Sequence, residues 1–131
     1  MTQFLNAITL LVHDYDQAIA YYTGKLGFDL IEDTRLSEDK RWVLVAPPGA
    51  KETRILLAKA ANNEQGKSVG NQTGGRVFLF LQTDDFRSDY QRMKTSGIDF
   101  CETPREEIYG TVVVFQDLYG NKWDLLQLKT P

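Results

Sequence analysis

The chain has 131 residues, of which 42% are hydrophobic and 25% are charged, and its formal net charge is −3 at pH 7. This composition is typical of a soluble globular protein, and the length fits a single domain over residues 1–131. The mild acidity and the lack of any Lys/Arg cluster argue against a nucleic-acid partner. No stretch approaches the roughly 18 apolar residues of a membrane-spanning helix, so we expect no membrane partner.

The cysteine content and the first residues predict a cytoplasmic protein. Cys101 is the only cysteine, so it has no partner for an internal disulfide, which fits a reducing compartment. The opening segment, residues 1–16, has neither the basic region nor the small-residue cleavage site of a secretory signal.

The first half of the chain predicts a strand, a helix and three further strands. Asp14 is expected to cap the helix, with Gln17 at the spacing of a capping box, and Gly27 is expected to end it. Apolar and aromatic side chains recur between them at helical spacing. The predicted strands are Phe4–Val12, Phe28–Leu36, Arg41–Ala46 and Thr53–Lys59.

Residues 62–75, "NNEQGKSVGNQTGG", are rich in Gly, Asn and Gln and have no apolar period. They are predicted to be a linker between a first module, residues 1–61, and a second module, residues 76–131. The "GKS" within them lacks the earlier glycine and the following helix of a phosphate-binding loop, so we reject that interpretation.

The second half repeats the order of elements. A strand is predicted at Arg76–Thr83, a helix from Asp85 to Gly97, and three strands in "IDFCET", "IYGTVVVFQD" and "NKWDLLQLK". Asp14 and Asp85 are 71 residues apart, whereas Gly27 and Gly97 are 70 apart, so one residue is lost within the second helix. A two-copy repeat is too short for a solenoid and favours two sheets around one concave space, where ligand pockets often lie.

Two segments carry a family resemblance: "LLVHDYDQAIAYYTGKLGF" near the start, and "VVVFQDLYGNKWDLLQL" near the end. They resemble the vicinal oxygen chelate superfamily, which includes glyoxalase I, bleomycin-resistance proteins and extradiol dioxygenases. The closing D-x-x-G-N-x-W-D-L is similar to that family's D-P-x-G-N-x-x-E-L. The resemblance implies an α+β fold of two βαβββ modules whose curved sheets form one cup, and commonly a homodimer.

The resemblance also assigns four metal-ligand positions. They correspond here to Ala7, Leu56, Phe78 and Asp124. Three of these side chains cannot coordinate a metal, and a stable site needs several converging N or O donors. We therefore predict no metal, no cofactor and no catalytic residue.

The leading hypothesis is a metal-independent protein that binds a small organic molecule, for sequestration or sensing, as in the bleomycin-resistance branch. Asp124, Phe78 and Ala7 are predicted to line the ligand site, with Trp42 and Tyr109 as stacking walls. The alternative is a metal-dependent lyase or isomerase resembling glyoxalase I, with its metal completed by other residues or by a second chain.

Each candidate also has an ordinary structural interpretation. Asp124 could be solvated or internally paired. His13, the only histidine, is expected in an exposed loop, and Cys101 is expected to be half-buried and inert. The arginines that could bind an anion are more often solvated: Arg41, Arg76 and Arg105.

Overall fold

The computed structural model describes residues 1–130 and has a mixed α+β fold with two sheets and few helices, which confirms the predicted fold class. Two compact units, residues 1–69 and residues from Gly70 onward, divide the chain. No helix within residues 1–130 is both long enough and apolar enough to cross a membrane.

The first unit contains a four-stranded sheet in the order β1-β4-β3-β2, with β1 parallel to β4 and the other pairs antiparallel. Its elements are β1 (Ala7–Val12), α1 (Tyr15–Ile19), a π-helical segment (Ala20–Lys25), β2 (Asp29–Arg35), β3 (Arg41–Ala46), β4 (Arg54–Lys59) and α2 (Asn63–Ser68). Helix α1 packs against β3 and β4. The strand–helix–three-strand order is the one that the sequence predicted.

The ends of the first helical stretch also follow the sequence. Asp14 caps α1, and its Oδ1 accepts a hydrogen bond from the Gln17 amide at 2.8 Å. Gly27 ends the stretch with φ +83°, a conformation that glycine adopts without strain. The π-helical turn, closed by the Leu26 amide on the Tyr21 carbonyl, accommodates the one extra residue of this stretch relative to the second helix.

Two features of this unit differ in detail from what the sequence suggested. Strand β1 begins at Ala7 rather than Phe4, because its parallel pairing with β4 starts only at the Ala7–Arg54 register. Helix α2 lies inside the predicted linker. Its stability comes from polar capping, since Asn62 accepts from the Gln65 amide and the Gln65 side chain accepts from the Ala61 amide. Such a helix has no apolar period by which it could be recognised.

The second unit has the sheet order β5-β9-β8-β6, with β7 also paired to β8. Its elements are β5 (Leu79–Gln82), α3 (Phe86–Thr95), β6 (Asp99–Phe100), β7 (Arg105–Glu107), β8 (Gly110–Gln116) and β9 (Lys122–Leu128). Strand β5 is parallel to β9, as β1 is to β4 in the first unit. Asp85 caps α3 by accepting from the Ser88 amide, and Gly97 follows its end with φ +90°, as the sequence predicted.

Helix α3 covers one face of this sheet. The Gln127 side chain on β9 accepts from the Phe86 amide and donates to the Asp84 carbonyl, which ties that face to the start of α3. Trp123 and Leu125 alternate with Gln127 on the same face and are 2% and 0% exposed. The intervening residues of β9 therefore point to the opposite face.

The strand predicted from "IDFCET" is interrupted. It is split into the short strands β6 and β7, and Pro104, which has no amide hydrogen to donate to a ladder, lies in the gap. Cys101 falls at the break and is exposed, so the expectation of a half-buried thiol was wrong. Desolvation, with a smaller effect of the Asp99 charge, raises the pKa of its thiol, which disfavours the reactive thiolate.

The motif D-x-x-G-N builds the turn between β8 and β9. Buried Asp117 accepts hydrogen bonds from the amides of Tyr119 and Asn121 and from the Asn121 side chain, at 2.8–2.9 Å. Gly120 supplies the positive φ of +94° that the turn requires. The polar residues of this motif thus stabilise the loop that leads into Asp124.

Candidate functional site

Asp124 lies in the middle of β9, on the face opposite α3. Its register partners are Phe80 on β5 and Val114 on β8, so these three side chains form one row across the sheet. Arg105 and Leu126 lie in the next row, since both register with Val112. We call this set, Phe80, Val114, Asp124, Arg105 and Leu126, the Asp124 face.

The Asp124 carboxylate is buried without a complete set of hydrogen bonds. The residue is 8% exposed, and its Oδ1 has no hydrogen-bond partner among the described residues. Burial raises the pKa of Asp124 above its ordinary value; the Arg105 charge opposes that effect and the Glu102 charge adds to it. A buried acceptor in this state is stabilised by a ligand that brings a donor.

A charged cluster borders Asp124 at the break between β6 and β7. Glu102 accepts the Val114 amide at 3.0 Å, a donor that a continuous edge strand would otherwise have paired. Arg105 donates from Nε to both Glu102 oxygens, at 2.9 and 3.1 Å, and from Nη1 to Glu107 at 2.6 Å. Two carboxylates, those of Glu102 and Glu107, therefore bond one guanidinium, and Asp124 feels its charge without bonding it.

An exposed aromatic ring lies on the other side of Asp124. Phe80 is its register partner on β5 and is 65% exposed. Phe78, the residue predicted for the site, is half-buried; its amide bonds to the Lys122 carbonyl one step before the ladder begins. By alternation it lies on the same face, two residues from Phe80.

In the first unit too, the predicted site residue lies two positions before the residue that registers with the family's metal-ligand position on the neighbouring strand. Leu56 registers with Thr9, and the predicted site residue Ala7 lies two residues earlier on the same strand face. Trp42, 37% exposed, shares that face by its alternation with Leu44, the register partner of Leu56. Ala7 and Trp42 thus belong to one face of the first sheet but lie two strands apart.

Tyr109 is 45% exposed and lies in the turn between β7 and β8, where its carbonyl accepts from the Lys129 amide. Gly110 registers with Leu128, four residues beyond Asp124 on β9. The separation along the strand is about 13 Å at roughly 3.3 Å per residue. Phe78 therefore lies on the same sheet face as Asp124, two residues from its register partner Phe80, whereas Tyr109 lies near the far end of β9.

The residues at the family's metal-ligand positions do not fit a metal. The side chains of Ala7, Leu56 and Phe78 carry no donor atom, and Phe80, the register neighbour of Asp124, adds none. Within residues 1–130, no group of three or more His, Cys, Asp or Glu side chains is arranged to hold a metal ion. A single carboxylate does not satisfy a divalent cation, so these positions do not support a metal-dependent step.

Arg41 belongs to the framework of the first unit. Its guanidinium bonds to Asp33 at 2.7 Å and Asp16 at 2.9 Å, and lies over the Tyr15 ring at 5.2 Å. These contacts lower the pKa of Asp33, chiefly through the hydrogen bond from Arg41. His13 is exposed at the end of β1, as expected.

Three residues near the predicted site positions were not identified from the sequence. Phe80 was recognisable, because it alternates with Phe78 on one strand face. Glu102 was not, because its role depends on a break in an edge strand. Arg54 registers with Ala7 and has a buried Nε without a hydrogen-bond partner among the described residues, a feature that only the folded chain shows.

Known proteins resemble the chain over almost its full length. The family model of the Glyoxalase/Bleomycin resistance protein/Dioxygenase superfamily matches residues 4–125. An uncharacterized protein of Shewanella frigidimarina is 60% identical over 129 residues, covering 98% of this chain and 96% of its own. The crystal structure of UcmS2 has a TM-score of 0.83 at 29% identity, over 96% of this chain and 98% of that chain. TnmS3, an antibiotic binding protein from Streptomyces sp. CB03234, has a TM-score of 0.78 at 27% identity, with 98% of each chain covered.

Proposed function

Because this chain belongs to the Glyoxalase/Bleomycin resistance protein/Dioxygenase superfamily, we propose that it binds a small organic molecule without a metal and acts by sequestration or sensing. The observation that carries the proposal is the buried Oδ1 of Asp124, which lacks a hydrogen-bond partner within residues 1–130, on a residue that registers with an exposed Phe80. A ligand that offers a donor and a flat apolar surface satisfies both.

The relatives support a binding function rather than a particular ligand. TnmS3 is described as an antibiotic binding protein, and its structure matches 98% of this chain at 27% identity. Binding of this kind needs no reacting group. It needs apolar area, worth on the order of 25 cal/mol per Å² buried, and polar groups that orient the ligand.

The polar groups of the Asp124 face supply orientation. Asp124 accepts from the ligand, while the Arg105 fork is held in place by Glu102 and Glu107. Phe80 offers its ring as a stacking surface. Phe78 extends that surface on the same strand. Ala7 and Trp42 on the first unit, and Tyr109 on the second, remain predicted contacts.

A thermal-shift screen tests the proposal directly. The full-length protein, purified without a metal-affinity tag, is screened against a library of aromatic natural products and antibiotics, and each hit is confirmed by calorimetry. We expect saturable binding of at least one compound. The affinity should fall in Phe80→Ala and persist in Ile108→Ala. The second variant is the control, because it removes an apolar side chain that is 91% exposed and lies outside the Asp124 face.

Hits that bind Phe80→Ala and Ile108→Ala equally would move the site away from the Asp124 face. A protein that binds no compound but turns over a substrate in a chelator-sensitive reaction would overturn the proposal in favour of an enzyme.

We also propose a cytoplasmic homodimer. The apolar residues exposed along and after edge strand β2, Leu30, Ile31 and Leu36, would account for association. Light scattering of the purified protein measures the mass; a monomer at cellular concentration would contradict this part of the proposal.

A further inference from the structure

The charges of the Asp124 face and of the bordering Glu102 and Glu107 favour one class of ligand. Asp124, Glu102 and Glu107 are three carboxylates, and Arg105 is the one basic side chain bonded within their cluster. Because Arg105 already donates to both glutamates, its charge is committed to them. The cluster therefore retains a net negative charge when its carboxylates are ionised.

The unsatisfied atom lies where that charge is concentrated. Asp124 Oδ1 is buried and has no hydrogen-bond partner within residues 1–130, and burial raises the pKa of this carboxyl more than the Arg105 charge lowers it. A neutral donor would fill the hydrogen bond but leave the ionised carboxylate buried without a counter-ion. A protonated amine would fill the hydrogen bond and pair the buried charge, since hydrogen bonds between two charged groups are the stronger ones.

Phe80 favours the same kind of ligand. Its ring is next to Asp124 and exposed, so a cation held by the carboxylate is also within reach of an aromatic face. An anionic ligand would face three carboxylates, and the Arg105 guanidinium is already bonded to two of them. The opposing charge on this face is that of the exposed Lys122, which lies two residues before Asp124 on β9.

From this arrangement we infer that the ligand is a cation: a protonated amine or amidine, attached to an aromatic or similarly flat apolar group, whose N–H binds Asp124. The inference rests on the proposed binding function and narrows it to one class of ligand. Glu102 and Arg105 act as positioning residues that set the charge around Asp124 without themselves bonding the ammonium group.

Three probes of one shape separate the possibilities. Naphthylmethylammonium, naphthylmethanol and naphthoate are titrated by calorimetry into the wild type, Asp124→Asn and Glu106→Gln. Glu106→Gln is the matched control, because it removes the same charge from an exposed side chain. That side chain bonds Thr111, which lies on the opposite face of the sheet from Asp124. We expect the cation to bind the wild type and Glu106→Gln about tenfold more tightly than the alcohol.

In Asp124→Asn, the cation and the alcohol should bind with similar affinity, and Glu102→Gln should reduce the preference for the cation in part. Equal or tighter binding of the alcohol or the naphthoate by the wild type would overturn the cation inference and leave the binding function intact. If none of the three probes binds and the thermal-shift screen finds no ligand either, both proposals fail together.

Discussion

Phe80 and Asp124 are register partners on parallel neighbouring strands, so a ring that is 65% exposed lies beside a carboxylate that is 8% exposed. Such a pairing is unfavourable for the isolated protein, because it leaves apolar area in water and an acceptor without a donor. A ligand that covers the ring and donates to the carboxylate corrects both.

Asp124→Asn should stabilise the protein at neutral pH. Burial raises the pKa of Asp124 above its ordinary value of 3.8, so the ionised form is disfavoured in the folded state. Below the unfolded pKa both states are protonated and no penalty exists; the penalty grows as the pH rises from the unfolded pKa to the raised folded pKa, and it is constant above that. The melting temperature of the variant should exceed that of the wild type at pH 7, with each 1 kcal/mol worth roughly 4 °C, and the difference should vanish near pH 3. An equal difference at both pH values would mean that charge is not its cause.

Phe80→Ala should weaken ligand binding by about tenfold or more while leaving the fold stable. The ring is largely exposed, so its removal creates no cavity, but a stacked aromatic contact and its buried area are worth about 1–3 kcal/mol in a complex. Calorimetry with a hit from the thermal-shift screen measures the affinity, and circular dichroism checks the fold. Loss of secondary structure in this variant would assign Phe80 a structural role instead.

Glu102→Ala should lower the free energy of unfolding by about 1–2 kcal/mol. The substitution leaves the Val114 amide without its acceptor and removes one of the two partners of Arg105. Urea titration measures the change, with Glu106→Ala as the comparison, because Glu106 bonds only the Thr111 hydroxyl at the surface. If the two variants lose the same stability, the contact of Glu102 with the strand edge contributes nothing specific.

Asp117→Ala should be more damaging, with a loss of about 3 kcal/mol or failure to fold. Asp117 is 5% exposed and accepts three hydrogen bonds that define the turn before β9. Asp117→Asn retains an oxygen for the two backbone amides and should cost less, because only the bond from the Asn121 side chain is lost. Hydrogen exchange of the Tyr119 and Asn121 amides reports the turn directly, and unchanged protection in the alanine variant would refute this role.

Removal of metals should leave stability and ligand binding unchanged. No group of three potential metal-binding side chains exists within residues 1–130, and three of the four family positions carry hydrocarbon side chains. Elemental analysis should find far less than one Zn, Ni or Mn ion per chain, and melting curves with and without EDTA should coincide. A stoichiometric metal that is lost in Asp124→Ala would reverse the assignment and make Asp124 a ligand.

Much of the local structure was predictable because its causes are local. Capping by Asp14 and Asp85, and the glycines with positive φ at Gly27 and Gly97, each depend on a few neighbouring residues. The helix α2 escaped prediction because its capping by Asn62 and Gln65 is polar and produces no apolar period. The interruption between β6 and β7 was not predicted, because the alternation of apolar and polar residues in this segment is typical of one continuous strand, although Pro104 follows it.

The sequence by itself determined the repeated βαβββ order, since residue types and spacings carry that information directly. Its resemblance to a known family implied the fold class and a set of metal-ligand positions, three of which carry hydrocarbon side chains here. Only the tertiary structure decided that Asp124 neighbours Phe80, that Glu102 takes the Val114 amide, and that Arg105 is shared between two glutamates. These facts depend on strand register and on where an edge strand breaks. Both are set by pairing between residues far apart in the chain, which no local pattern encodes.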